Sequence, residues 1–332
     1  MLKDSVSTYK FQSFFHKKLI MKKQIVLTGF VLFSFMLPLK ATAASFSQIY
    51  VFGDSLSDTG NSLKTTGVPP SPPYFQGRFS NGPVWTEYLA NDLGLTSQQQ
   101  TSYAFGGANS GSDNTLVPGL QSLPGLQQQI DSYKAKNTSA DPNALYVVWA
   151  GANDYLSRST TNPAVPVKNI STAVNSLADY GAKNIMVLNL PNLGKLPGTS
   201  NNIQVSSGLS ALSEVHNEGL AANLNLLSQQ SDVNIIPVDV NSLFEQAIAN
   251  PQQFNFTNVT QSCLTNTGVC ANPNQYLFWD DIHPTTAAHK FVGELAFSTL
   301  DSQAVPEPAA TLGILTIGAL GGLALHKRQV KV

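Results

Sequence analysis

The chain has 332 residues and a formal net charge of −1, and only 12% of its residues are charged. This sparse, balanced charge argues against nucleic acid as a partner, because phosphate binding wants a basic surface. The length suffices for one large domain or two small ones with ample core. The polar surface must come largely from Ser, Thr, Asn and Gln.

The first feature in chain order is an export signal. Lys22 and Lys23 precede an apolar run over residues 25–39, and Ala41-Thr-Ala-Ala44 follows. That is the charged, apolar and small-residue order of a cleavable leader, and the run is short for a membrane span. Cleavage after Ala43 or Ala44 and a start at Met21 both fit. Residues 1–44 are expected to be an N-terminal extension and signal peptide.

The body follows. Residues 49–52, Ile-Tyr-Val-Phe, suit a buried strand that Gly53 breaks. Asp54, Ser55, Ser57 and Asp58 then suit a sharp turn and the cap of a helix. Residues 62–80 form a loop rich in Gly, Pro and Ser, and helical apolar spacing begins near Pro83. Tyr103-Ala-Phe-Gly-Gly107 reads as a strand end turning into a loop, and residues 120–133 as a helix. The clearest buried strand is 144–150, ending in Gly151-Ala-Asn153-Asp154. A helix over 167–180, a strand over 184–190, a long helix over 209–227, a strand over 233–239 and a short helix over 242–249 succeed it. Cys263 and Cys270 flank an Asn/Thr/Gly-rich loop and suit a local disulfide in an oxidising compartment. Tyr276-Leu-Phe-Trp279 leads into Asp280-Asp-Ile-His-Pro284, and a last helix is predicted over 285–300. Alternating strands and helices predict one α/β domain over residues 45–304, with a parallel sheet covered on both faces. Polar motifs at the strand ends would gather along one sheet edge, where such folds bind ligands.

A serine nucleophile needs a base, and the base needs an orienting partner. His16 and His326 lie outside the body, and His216 and His289 fall within predicted helices as surface or packing residues. His283 stands in a loop three residues after Asp280. That spacing lets the carboxylate hold the imidazole Nδ1 and leaves Nε2 to face Ser55. Asp281 competes for this place and is assigned a capping or surface role. Oxyanion donors are available from the Ser55 backbone, the Gly106-Gly107 turn and the Asn153 amide. Asp280, Asp281 and His283 could touch a metal, but no further ligand motif accompanies them.

Gly53-Asp-Ser-Leu-Ser-Asp-Thr-Gly-Asn61 resembles the first block of the GDSL esterases and lipases. Tyr103-Ala-Phe-Gly-Gly107, Gly151-Ala-Asn-Asp154 and Asp280-Asp-Ile-His283 resemble the second, third and fifth blocks of the same SGNH hydrolases. The resemblance implies a flavodoxin-like three-layer α/β/α fold with a central parallel sheet of about five strands. It implies catalysis by Ser55, Asp280 and His283, an oxyanion hole of Ser55, Gly107 and Asn153, an acyl-serine intermediate, and neither metal nor organic cofactor. The elbow Gly-x-Ser-x-Gly of other hydrolases is absent, because Ser57 replaces its second glycine.

The C-terminal order of Val305-Pro-Glu-Pro308, an apolar run over 309–325 and a basic end with Lys327 and Arg328 is similar to the PEP-CTERM sorting signal of Gram-negative bacteria. It implies that residues 305–332 carry a sorting signal with a transmembrane segment, read by an exosortase-type protease. Together these readings predict an exported serine esterase or lipase acting on a lipid or acylated glycan, transiently anchored to the membrane. The alternatives are a polysaccharide O-deacetylase and a non-catalytic surface or matrix protein on a hydrolase scaffold.

Overall fold

The computed structural model describes residues 45–304 apart from 118, 120–122 and 231. The expected signal peptide and the sorting tail lie outside the described residues. The strands β1 (Ile49–Gly53), β2 (Gln100–Ser102), β3 (Leu145–Trp149), β4 (Asn184–Leu188) and β5 (Asn234–Val238) form one parallel sheet in the order β2-β1-β3-β4-β5. Among the described residues the α-helices of five residues or more are α1 (Asn61–Thr66), α2 (Trp85–Asp92), α3 (Leu126–Lys136), α4 (Ala152–Leu156), α5 (Ala164–Asp179), α6 (Ile203–Gln230), α7 (Val240–Ala249) and α8 (Thr286–Ala304).

Strand side chains alternate between the two faces, so each strand supplies two cores. Ile49, Val51, Leu145, Val147, Trp149, Met186, Leu188, Ile236 and Val238 pack with Trp85 and Leu89 of α2, Phe244 of α7 and Val292 of α8. Phe52, Tyr146, Val148, Ile185, Val187 and Ile235 point the other way, onto Leu126, Ile130 and Tyr133 of α3, Val174 of α5 and Leu220 of α6. Every residue of β3 is buried. Each such aliphatic side chain contributes roughly 1.5–3 kcal/mol by leaving water. The result is the three-layer α/β/α arrangement, with a five-stranded parallel sheet.

Several boundaries differ from the sequence reading, each for a local reason. Helix α3 begins at Leu126, because Pro124 has no N–H to give and Gly125 is the N-cap. Helix α6 starts earlier than residue 209, because the Asn202 side chain accepts from the Gln204 and Val205 backbone N–H groups. The polar β2, Gln-Thr-Ser, shows no apolar alternation to read; it sits at the sheet edge, in register with Ile49–Val51. Residues 276–279 add no strand to the main sheet. Strand β6 (Asn258–Ser262) pairs with β9 (Tyr276–Phe278), and β7 (Leu264–Thr265) pairs with β8 (Gly268–Val269), in two small separate sheets.

The chain leaves β1 for β2 on one side and returns to β3 on the other. The strand order therefore reverses between β1 and β3, and their carboxyl ends open onto a crevice at that switch point.

Candidate active site

Ser55 lies two residues beyond the end of β1 and is nearly buried, at 7% exposure. The turn carrying it is closed by the Ser57 N–H donating to the Asp54 carbonyl at 3.1 Å, and by the Leu56 N–H donating to Asp54 Oδ1 at 3.1 Å. Gly53 has no room for a side chain: a Cβ there would fall 2.2 Å from the Trp149 carbonyl oxygen. The buried Gln129 amide of α3 donates to the Gly53 carbonyl and accepts from its N–H, both at 2.8 Å, and so anchors the strand end behind Ser55. Burial pushes the Asp54 carboxyl up to about 7, against the pull of the Leu56 N–H and the nearby His283.

Asp280 and His283 share the loop between β9 and α8, which is pinned by the Trp279 N–H donating to the His283 carbonyl at 2.7 Å. His283 Nε2 is 2.8 Å from Ser55 Oγ. Its Nδ1 lies 2.8 Å from Asp280 Oδ2 and 2.9 Å from Oδ1. Asp280 Oδ1 also accepts from the Ile282 and His283 backbone N–H groups at 2.9 and 2.8 Å. Burial alone would raise the Asp280 carboxyl. The imidazole beside it and these donors outweigh burial and hold it at about 2.

The donors at the other strand ends converge on the same edge. Gly106 cannot serve as an oxyanion donor, because its N–H already donates to Asp58 Oδ2 at 3.0 Å and Ser62 Oγ at 2.8 Å. The N–H groups of Gly107 and Ser55 make no hydrogen bond among the described residues. Gly107 adopts φ +72°, and a Cβ there would fall 2.4 Å from the Leu116 backbone nitrogen, so both conformation and space require glycine. Asn153, the second residue of α4, donates through Nδ2 to the Ala108 carbonyl at 3.0 Å. The next residue, Asp154, accepts from the Ser110 N–H and hydroxyl at 2.8 and 2.7 Å.

Three of the four motif segments are thus laced together by buried carboxylates and amides. Asp58 accepts from the Gly60, Asn61, Ser62 and Gly106 N–H groups, and Asn61 Nδ2 donates to the Ser102 and Ala104 carbonyls. Tyr74 and Gln129 were not anticipated from sequence. Tyr74 donates to Asp280 Oδ2 at 2.7 Å from the Pro-rich loop. Gln129 carries a readable signal, since it lies on the same helical face as Leu126, Ile130 and Tyr133.

The remaining candidates lie apart from this arrangement. Asp281 is exposed and accepts from the Ser262 hydroxyl at 2.7 Å. His216 and His289 are both fully buried. Burial holds His216 down at about 4 and, aided by His283, His289 at about 3. His216 Nδ1 pairs with the Tyr155 hydroxyl at 2.9 Å. Cys263 and Cys270 are joined in a disulfide across the β7–β8 hairpin. The Cys263 and Leu264 N–H groups donate to the Phe278 and Trp279 carbonyls, just ahead of Asp280. Among the described residues no cluster of three or more His, Cys, Asp or Glu side chains could hold a metal, and no helix is long and apolar enough to cross a membrane.

Residues 49–296 match the family of GDSL-like Lipase/Acylhydrolase proteins. The chain belongs to the GDSL family. It is accordingly a carboxylic ester hydrolase of the GDSL esterase/lipase type. Residues 304–329 match the PEP-CTERM protein-sorting motif. The phosphatidylcholine-sterol acyltransferase of Aeromonas hydrophila is 32% identical over 78% of this chain and 91% of its own length. The thermolabile hemolysin of Vibrio parahaemolyticus is 30% identical over 75% of this chain, which spans 62% of the hemolysin. Among solved structures, the native aryl esterase of M. Smegmatis is 18% identical with a TM-score of 0.46, covering 77% of this GDSL chain and 99% of its own.

Proposed function

We propose that this GDSL protein is an exported serine esterase that cleaves lipid or glycan esters through an acyl-serine intermediate. Ser55 Oγ attacks the ester carbonyl while His283 Nε2 takes its proton. The tetrahedral oxygen is held by the Ser55 and Gly107 N–H groups and the Asn153 amide. Collapse expels the alcohol, which receives the proton back from His283 and leaves the acyl group on Ser55. Water, deprotonated by His283, then attacks the acyl-serine, and as the acid leaves His283 returns that proton to Ser55 Oγ. Asp280 keeps the imidazole in the tautomer with hydrogen on Nδ1 and stabilises the imidazolium that forms in both steps.

The observation that carries this reading is the continuous relay from Ser55 Oγ to His283 Nε2 at 2.8 Å and from His283 Nδ1 to Asp280 at 2.8 Å. The free Gly107 N–H, beside a Gly106 N–H that is already engaged, supports Gly107 as the second donor. The sorting motif and the leader-like N-terminus support export, a membrane-anchored stage at the C-terminal segment and release by an exosortase-type protease. The identity to a phosphatidylcholine-sterol acyltransferase favours a second route, in which an alcohol acceptor replaces water at the acyl-serine.

The test is hydrolysis of p-nitrophenyl esters from acetyl to palmitoyl, with Ser55→Ala as the control. Loss of activity in the variant is expected, and the chain-length optimum distinguishes a deacetylase from a lipase. A folded protein inactive on every ester would refute the reading and favour a surface protein on a hydrolase scaffold.

A further inference from the structure

The loop over residues 68–82 reaches the relay through two aromatic side chains that the scheme above leaves unused. Tyr74 donates its hydroxyl to Asp280 Oδ2 at 2.7 Å. Its ring meets Phe79 and Trp279 edge-on, each with centroids 6.3 Å apart. Phe79 in turn packs on the His283 imidazole at 5.1 Å. The loop is itself braced: Arg78 donates to both Glu87 oxygens of α2, and Glu87 caps that helix by accepting from the Val84 N–H at 2.9 Å.

We propose that Tyr74 is a positioning residue for the ester-cleaving relay, acting through Asp280 to set the alignment and basicity of His283. The proposal rests on the serine-relay reading. The two carboxylate oxygens of Asp280 are held differently. Oδ1 is fixed by two backbone donors, whereas Oδ2 takes the Tyr74 hydroxyl as its donor besides the imidazole. The imidazole Nδ1–H is nearly equidistant from both oxygens. Removing the hydroxyl concentrates charge on Oδ2 and frees the carboxylate to swing. The imidazolium is then stabilised more strongly, but its aim at Ser55 is poorer. Burial and the adjacent Asp280 charge raise the Tyr74 phenol, so it remains a donor throughout the working pH range. The other titratable groups near this pair are Asp54 behind Ser55, Asp281 in the same loop and His289 from α8, which burial keeps neutral. None of them is altered by Tyr74→Phe, which also keeps the ring and its packing.

The experiment measures kcat, KM and the pH profile of p-nitrophenyl butyrate hydrolysis for the full chain and for Tyr74→Phe, Asp280→Asn and the double variant, with Ser55→Ala as control. Tyr74→Phe should lower kcat roughly tenfold with KM within about twofold, and move the acid limb of kcat/KM up by about half a pH unit. In the Asp280→Asn background the same change should have almost no further effect, because the hydroxyl acts through that carboxylate. An active, Ser55-dependent wild type with an unmoved Tyr74→Phe profile, or additive losses in the double variant, overturns the role of Tyr74 alone. Activity that survives Ser55→Ala instead overturns the serine relay, and the Tyr74 proposal with it.

Discussion

Asn153→Ala separates catalysis from architecture at a single side chain. The amide nitrogen carries two hydrogens, and one is committed to the Ala108 carbonyl at 3.0 Å. That bond fixes the amide plane and leaves the second hydrogen for the proposed oxyanion contact. Losing one such donor costs about 2.7–4 kcal/mol in the transition state, or roughly 10²–10³ in kcat. The bond to Ala108 is a ground-state matter. Its loss leaves a buried carbonyl without that donor and costs about 1 kcal/mol of stability, a drop of about 2–4 °C in melting temperature. KM should change little, because the substrate carbonyl makes the contact weakly before attack. Steady-state kinetics on p-nitrophenyl butyrate, paired with thermal melts by circular dichroism, read the two effects separately. A kcat within about threefold of wild type, beside the expected small loss in melting temperature, would make Asn153 a purely structural brace and remove it from the oxyanion hole.

Gly53→Ala should leave little folded protein, since the new methyl meets the Trp149 carbonyl between two paired strands; soluble yield and circular dichroism check this, and a wild-type melt would contradict it. Asp54 and Asp280 give opposite pH slopes. Asp280 is held at about 2, below its unfolded value near 3.9, so its stabilisation is present above about pH 4 and is lost as the pH falls towards 2. Asp54 is raised to about 7, so the folded chain binds that proton more tightly than the unfolded chain between about pH 4 and 7, and stability falls as the pH rises through that window. Asp54→Asn should therefore gain on wild type in melting temperature from pH 4 to 7, and parallel curves would show that Asp54 carries no such penalty. Reducing the Cys263–Cys270 bond removes closure of a short loop worth about 2.5 kcal/mol; a melting temperature lowered by roughly 5–10 °C is expected, and an unchanged one would mean the hairpin is held by its backbone bonds alone.

The central strands were legible because burial on both faces leaves uninterrupted apolar runs, as in Leu145–Trp149. The edge strand Gln100–Ser102 was not, since its residues are only half buried and carry no apolar pattern. Ser55, Asp280 and His283 could be singled out because histidine is scarce, with five in the chain, and His283 follows Asp280 by three residues in a loop; the structure brings the three side chains within hydrogen-bond reach. Choosing Gly107 over Gly106 rests in the sequence on block position alone; that the Gly106 N–H is engaged by Asp58 and Ser62 could not be read there. Tyr74 stayed hidden because 206 residues separate it from Asp280, and a tyrosine in a Pro-rich loop carries no local signature of its partner. His216 and His289 illustrate the converse: helical position left open whether they pack or face solvent, and both are fully buried.

The most direct test of the serine relay is the mass of the protein after reaction with a fluorophosphonate, followed by peptide mapping. The account predicts one phosphonyl adduct, on the peptide holding Ser55, absent in Ser55→Ala and strongly slowed in His283→Ala. An enzyme that hydrolyses esters yet remains unmodified, or that carries its adduct on another residue, would contradict it.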